Sequence, residues 1–289
     1  MKKPILFLSL TILIMFTLIT PLQPVQAWGP NTHVVITKRA LNRADADGIV
    51  VALIKAHPDA FYCGLLFPDI AVLYYYTQFE SYKSTHNWLF YRRLIEEAKT
   101  DEERVFAYGV AVHLIQDSVA HNSYIPYKIK QTLGSNLYTH PLVEASVEAK
   151  HIDLTTSGSL EVVDKFLPLA QKVLGRDVSE MTFLFRDIIR AGTFYDDAYA
   201  PPDIPLWDLY GSASAVAQRL YGVDDVEPYL DEAVSLTVEF MDRGETPLLD
   251  PTGIDALKAA GSHSRLSQFS FVFVISLLIF TFHYRRRRS

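Results

Sequence analysis

The stretch "ERVFAYGVAVHLIQDSVAH", residues 103–121, limits what this chain can fold into more than any other. Each residue advances about 100° around a helix, so His113, Asp117 and His121, spaced four apart, drift only about 40° per step and form one polar stripe. Their neighbours Val112, Leu114, Ile115 and Val119 put most of the same helix surface in an apolar interior. Left unpaired there, the stripe would cost several kcal/mol. The chain must therefore wrap a body around this helix and supply something that satisfies the stripe. A buried hydrogen-bond network would do so, and so would an ion. Nitrogen and carboxylate donors in fixed register suit a borderline cation such as zinc.

Helical periodicity extends through the chain, with no alternating strand longer than four residues. It predicts helices near 32–44, 47–57, 58–66, 85–98, 101–122, 141–152, 159–174, 178–195, 205–221 and 226–242, with Ser84 and Asp101 as N-caps. The loops are "FPDIAVLYYYTQFESYKS", "SYIPYKIKQTLGSNLYT", "YAPPDIPLWD" and "GETPLLDPTG". The fold class is all-α: one multi-helix domain over 28–245 and a linker over 246–265.

The two ends read differently. Lys2 and Lys3, the apolar run after them and Val25-Gln26-Ala27 have the three regions of a signal peptide, residues 1–27, whose removal would leave Trp28 first. Residues 266–284, "LSQFSFVFVISLLIFTFHY", carry no acid, Lys or Arg, and the basic tail 285–289 begins with Arg285 to Arg288. That is the pattern of a short C-terminal transmembrane helix with its basic end cytoplasmic. The expected protein is exported and held at the cell surface by this helix, or released if the tail is clipped. Removing six cations, Lys2, Lys3 and the four terminal arginines, takes the formal charge from −6 to −12. Such an acidic body has no basic groove for a stable nucleic-acid partner, although bound dications would change the local sign. Cys63 is the single cysteine, so an exported fold would rest on its core and on metal rather than on a disulfide.

Further polar groups fall at helix starts or just after apolar runs: His33 in "WGPNTH", Asp69 in "LFPDI", His86 in "STHNW", and His140 with Glu144 in "THPLVEASVEA". The ordered set Trp28, His33, Asp69, His86, His113, Asp117, His121, His140 and Glu144 resembles the ligand set of the zinc-dependent phospholipase C family, which includes single-strand-specific nucleases with the same all-helical fold. The resemblance implies a helical bundle around two to three zinc ions. Asp69, His86, His113 and Asp117 would hold one ion. Asp117 would bridge to a second, which also takes the amine and carbonyl of Trp28 and the imidazole of His33. His121, His140 and Glu144 would hold the third.

The three residues between Asp117 and His121, where secreted phospholipases C and the nucleases usually have five, look more like the catalytic domain of glycosylphosphatidylinositol-specific phospholipase D. The leading "WGPNTH" is nuclease-like. The implied function is phosphodiester hydrolysis by a metal-activated water, of the phospholipase C type on a phospholipid, with Asp69 as ligand or general base. Alternatives on the same residues are a nuclease or nucleotidase, phospholipase D-type cleavage, and a non-catalytic zinc-binding membrane protein. Tyr74, Tyr75, Tyr76 and Phe79 are candidates for a lipid-facing rim.

Overall fold

A computed structural model describes residues 28–75, 85–131, 143–144, 146–148, 162–175, 177–178, 222–247 and 249–260, with the side chains of 70–75 and 258 left aside. The expected signal peptide, the span 266–284, the helices over 178–195 and 205–221, His140 and most of the tyrosine-rich loop lie outside the described residues. The described residues are helical, with no strand. Among them no single helix is long and apolar enough to cross a membrane.

In chain order the helices are α1 (Pro30–Leu41), α2 (Ile49–Ala56), α3 (Pro58–Tyr75), α4 (Trp88–Glu97), α5 (Asp101–Val119), α6 (Ile125–Gln131), α7 (Val163–Leu174), α8 (Glu227–Arg243) and α9 (Ile254–Ala260). A helical fragment at 143–148 adds Glu144 and Glu148. α5 is the axis of the body, and α1, α2, α3, α4, α7 and α8 all pack against it. From Val105 to His121 every residue except Tyr108 is buried. A capping box starts α5, with Glu103 N–H donating to Thr100 Oγ1 (3.2 Å) and Thr100 N–H to Glu103 Oε2 (3.0 Å). The cap is thus Thr100, one residue before the expected Asp101, whose acid lies in the first turn instead. Asn87, not Ser84, caps α4 by accepting from Phe90 N–H at 2.9 Å.

α3 meets α5 at a glycine pair. A Cβ on Gly64 would lie 1.9 Å from the Phe106 carbonyl oxygen, and one on Gly109 would lie 2.1 Å from that of Phe61. The two backbones are in direct contact there.

Two prolines fall inside helical structure that the sequence reading ends early. α3 runs through Pro68 to Tyr75 rather than stopping near residue 66, so Asp69 sits on a helix and not in a loop. Pro68 has no N–H for the Gly64 carbonyl, yet burial on both sides of it, at Phe67 and Asp69, holds the helix together. α5 likewise does not end at residue 122. It widens into a π-helical turn, Ala120–Tyr124, in which Ile125 N–H reaches Ala120 O, and continues as α6. The wider turn places Pro126 in the first turn of α6, where a missing N–H costs little. The Asn122 amide donates to Ser118 O at 2.7 Å across this turn.

The stretch read as a linker, 246–265, contains a docked part. Residues 249–253 lie against the π turn, and α9 packs on α6 and on that turn. Cys63 is buried, as its apolar context implies.

Candidate metal centre

Six elements carry the buried polar side chains of the expected ligand set. His33 comes from α1, Asp69 from α3, His86 from the residue pair before α4, His113 and Asp117 from α5, His121 from the π turn and Glu144 from the 143–148 fragment. All seven are buried, Asp69 at 5% exposure being the most open.

His113 Nε2 lies 3.1 Å from His86 Nε2 and 3.2 Å from Asp117 Oδ2. Asp69 Oδ1 lies 3.4 Å from His86 Nε2 and 3.7 Å from His113 Nε2. On the other side of the same carboxylate, Asp117 Oδ1 lies 3.2 Å from His33 Nε2. Asp117 therefore faces two groups of donors, one with each oxygen. Two sets, His33–Asp69–His113 and His86–His113–Asp117, each bring three potential ligand atoms within 4.8 Å of one another.

The hydrogen bonds on the far side of each ring decide what these atoms can do. His113 Nδ1 pairs with the Leu65 carbonyl (2.8 Å) and His121 Nδ1 with the Pro251 carbonyl (2.6 Å), so both Nδ1 atoms carry the proton. His33 Nδ1 pairs with Gln116 Oε1 (2.7 Å), and the amide of Gln116 donates at its other end to Thr37 Oγ1 (2.9 Å), which makes Oε1 an acceptor. His86 Nδ1 pairs with Thr85 Oγ1 (3.2 Å), whose hydroxyl donates to Pro68 O. All four imidazoles thus commit Nδ1 as a donor, and His33, His86 and His113 turn an Nε2 lone pair toward the carboxylates. That is the arrangement metal-binding histidines take from their outer partners.

The convergence is one of acceptors upon acceptors. His33 Nε2, Asp69 Oδ1 and both oxygens of Asp117 are buried with no hydrogen-bond donor. Lone pairs packed against lone pairs in an apolar interior are unfavourable unless a cation lies between them, and nitrogen with carboxylate oxygen is the donor chemistry zinc takes. The residues therefore fit the ion. Burial pushes the Asp117 carboxyl up, and positive charge on the His113 and His33 side of it draws it well below the usual carboxylate range, the pull a cation between them would equally exert. Glu144 goes the other way: burial and then the charges of Asp117 and Asp69 push it well above its ordinary value. That influence sets Glu144 in the same electrostatic neighbourhood as the two aspartates.

Trp28, expected to offer its backbone, is fully buried, stacked on Tyr124 (5.4 Å between ring centroids), and its Nε1 donates to Gln116 O at 3.0 Å. Gln116 thus holds both Trp28 and His33. His140 lies outside the described residues.

Sequence reasoning missed Gln116, although a lone amide between His113 and Asp117 in "HLIQD" was the available signal. It also missed Glu148, four residues after Glu144. Glu148 accepts from Asn31 N–H (2.8 Å), Thr32 N–H (3.0 Å) and the Thr32 hydroxyl (2.9 Å), and so caps the start of α1 from another helix. A Cβ on Gly29 would fall 2.4 Å from its Oε2, so only glycine leaves room for that carboxylate.

Gln116→Leu keeps the volume but removes the partner of His33 Nδ1. Zinc affinity is expected to fall by about 10- to 100-fold with the fold retained, the usual cost of an outer partner, as read by titration against a competing chelator. An unchanged affinity means that His33 does not depend on this amide.

A family model described as zinc dependent phospholipase C matches residues 32–172. The matched segment includes every expected ligand position except Trp28. No curated protein and no solved structure matches the chain.

Proposed function

Because residues 32–172 belong to the zinc-dependent phospholipase C family, we propose that the protein is a phospholipase C-type hydrolase, cleaving the phosphodiester of a membrane phospholipid to release a phosphorylated headgroup. One observation carries the reading: three inward Nε2 lone pairs, of His33, His86 and His113, and three carboxylates share a buried region, with no donor for the oxygens of Asp117 or for Asp69 Oδ1. Two to three zinc ions bound there would neutralise the phosphate and lower the pKa of a water toward about 7.

The chain's own groups do the rest. Asp117, with imidazole nitrogens facing each of its oxygens, would be the carboxylate shared by two ions. Gln116, Thr85, Leu65 O and Pro251 O fix the rings. Asp69, the most exposed member, is the carboxylate best placed to take a proton from an incoming water. Trp28, tied to the backbone carbonyl of Gln116, whose side-chain amide holds His33, would add its amine and carbonyl once the preceding 27 residues are removed. The body then stands outside the cell, tethered through residues 266–284.

Full-length protein, freed of metal with a chelator and reloaded with zinc, is incubated with vesicles of mixed phospholipids. Phosphorylated headgroup and diacylglycerol are expected only from the reloaded sample. Phosphatidic acid as the product would mean D-type cleavage, and digestion of single-stranded DNA in preference to lipid would overturn the substrate. Hydrolysis that survives removal of the metal would overturn the mechanism.

A further inference from the structure

Of the four imidazoles, His121 is the one whose Nδ1 partner comes from the far end of the chain. Helix α5 gives way to the π turn at this point, and the acceptor for its Nδ1 is the carbonyl of Pro251, 130 residues away in sequence, at 2.6 Å. Around that bond residues 249–253 are pinned at several places. Trp88 Nε1 donates to Leu249 O (2.8 Å) and the Asn122 amide to Asp250 O (2.7 Å). The Asp250 carboxylate accepts from Thr252 N–H (3.1 Å) and from the Thr252 hydroxyl (2.6 Å), folding the strap into a tight turn. Gly253 follows with φ +53°, and a Cβ there would fall 2.5 Å from both the Cβ and the carbonyl oxygen of His121. The strap backbone is thus pressed against the residue it orients, and α9 behind it anchors Leu257 in the body.

We propose that residues 249–253 are a positioning element of the metal centre: the Pro251 carbonyl sets the ring of His121, so retention of the ion at His121 depends on the strap being docked. The inference rests on the reading of His121 as a zinc ligand. It assigns a task in the site to a segment outside the matched family region, which ends at residue 172. It also explains why the strap passes His121 with a glycine in the left-handed region, where any side chain would meet the His121 backbone and Cβ rather than a movable group.

The test uses full-length protein and two substitutions. Gly253→Ala forces the strap away from His121, and Asp250→Ala, which touches no ligand, only loosens its turn. Zinc per chain is measured by elemental analysis and affinity by chelator competition, and the His121 tautomer is read from nitrogen-15 NMR. Both variants are expected to bind about one zinc equivalent at least about tenfold more weakly, the remaining zinc unchanged, and to lose the Nδ1–H signature of His121. A merely structural strap would lower the melting temperature and move neither zinc nor tautomer. Wild-type protein that holds zinc, with both variants matching it, overturns the strap and leaves the proposed function standing. Wild-type protein that binds no zinc overturns both.

Discussion

Asp117→Asn is expected to abolish hydrolysis, by more than about 10³-fold, and to strip the centre of the two ions that Asp117 is proposed to bridge, while the helical content stays that of the wild type. The magnitude should exceed the roughly 10- to 100-fold cost of losing an outer partner, because here the ligand itself is lost. The substitution is nearly isosteric, but it changes the chemistry at the point of contact. Each Asp117 oxygen faces imidazole lone pairs, Oδ1 toward His33 and Oδ2 toward His86 and His113. An amide nitrogen in either position brings hydrogens that those lone pairs can accept. The carboxylate charge is lost and one side of the acceptor-only cluster becomes a hydrogen-bonded pair, so what favours two cations there is gone. Elemental analysis, circular dichroism and vesicle hydrolysis on one preparation check all three parts. A variant that still carries the wild-type zinc content would remove Asp117 from the centre.

Gly109→Ala should produce the largest loss of stability: about 3 kcal/mol or more, at the top of the range for overpacking, and a drop in melting temperature of about 10 °C. In an exposed helix the same change would be favourable by up to about 1 kcal/mol. Here the new Cβ would stand 2.1 Å from Phe61 O and 2.5 Å from Leu65 N, and no rotamer can relieve a contact with backbone. The helices α3 and α5 would have to separate. They carry Asp69 on one side and His113 and Asp117 on the other, and the bond from His113 Nδ1 to Leu65 O crosses the same contact. Zinc affinity should therefore fall along with stability. A variant as stable as the wild type in thermal denaturation would show that the two helices are not so closely apposed.

The central helix and the buried polar stripe on it were legible in the sequence because they obey a local rule. His113 and Asp117 share a face by helical spacing, and apolar neighbours state their burial. What escaped notice was non-local or broke a local rule. Pro68 and Pro126 read as terminators, and only tertiary burial and a widened turn carry the chain past them, so Asp69 moved from an expected loop onto α3. Glu148 caps α1 across 117 residues of sequence and Pro251 O meets His121 across 130, separations no periodicity records. A backbone carbonyl, moreover, has no letter of its own. Gln116 was visible as an oddity, but its task of holding Trp28 and His33 together requires the fold.

The Nδ1 bonds on all four imidazoles have a consequence for the order of events in the protein's life. Because Leu65 O, Thr85, Gln116 and Pro251 O grip the rings, the rotamer entropy of these histidines is lost when the chain folds and not when zinc arrives. Ion capture then needs little rearrangement. A polypeptide of this design can complete its tertiary structure first and scavenge its metal afterwards, from whatever trace concentration its surroundings offer.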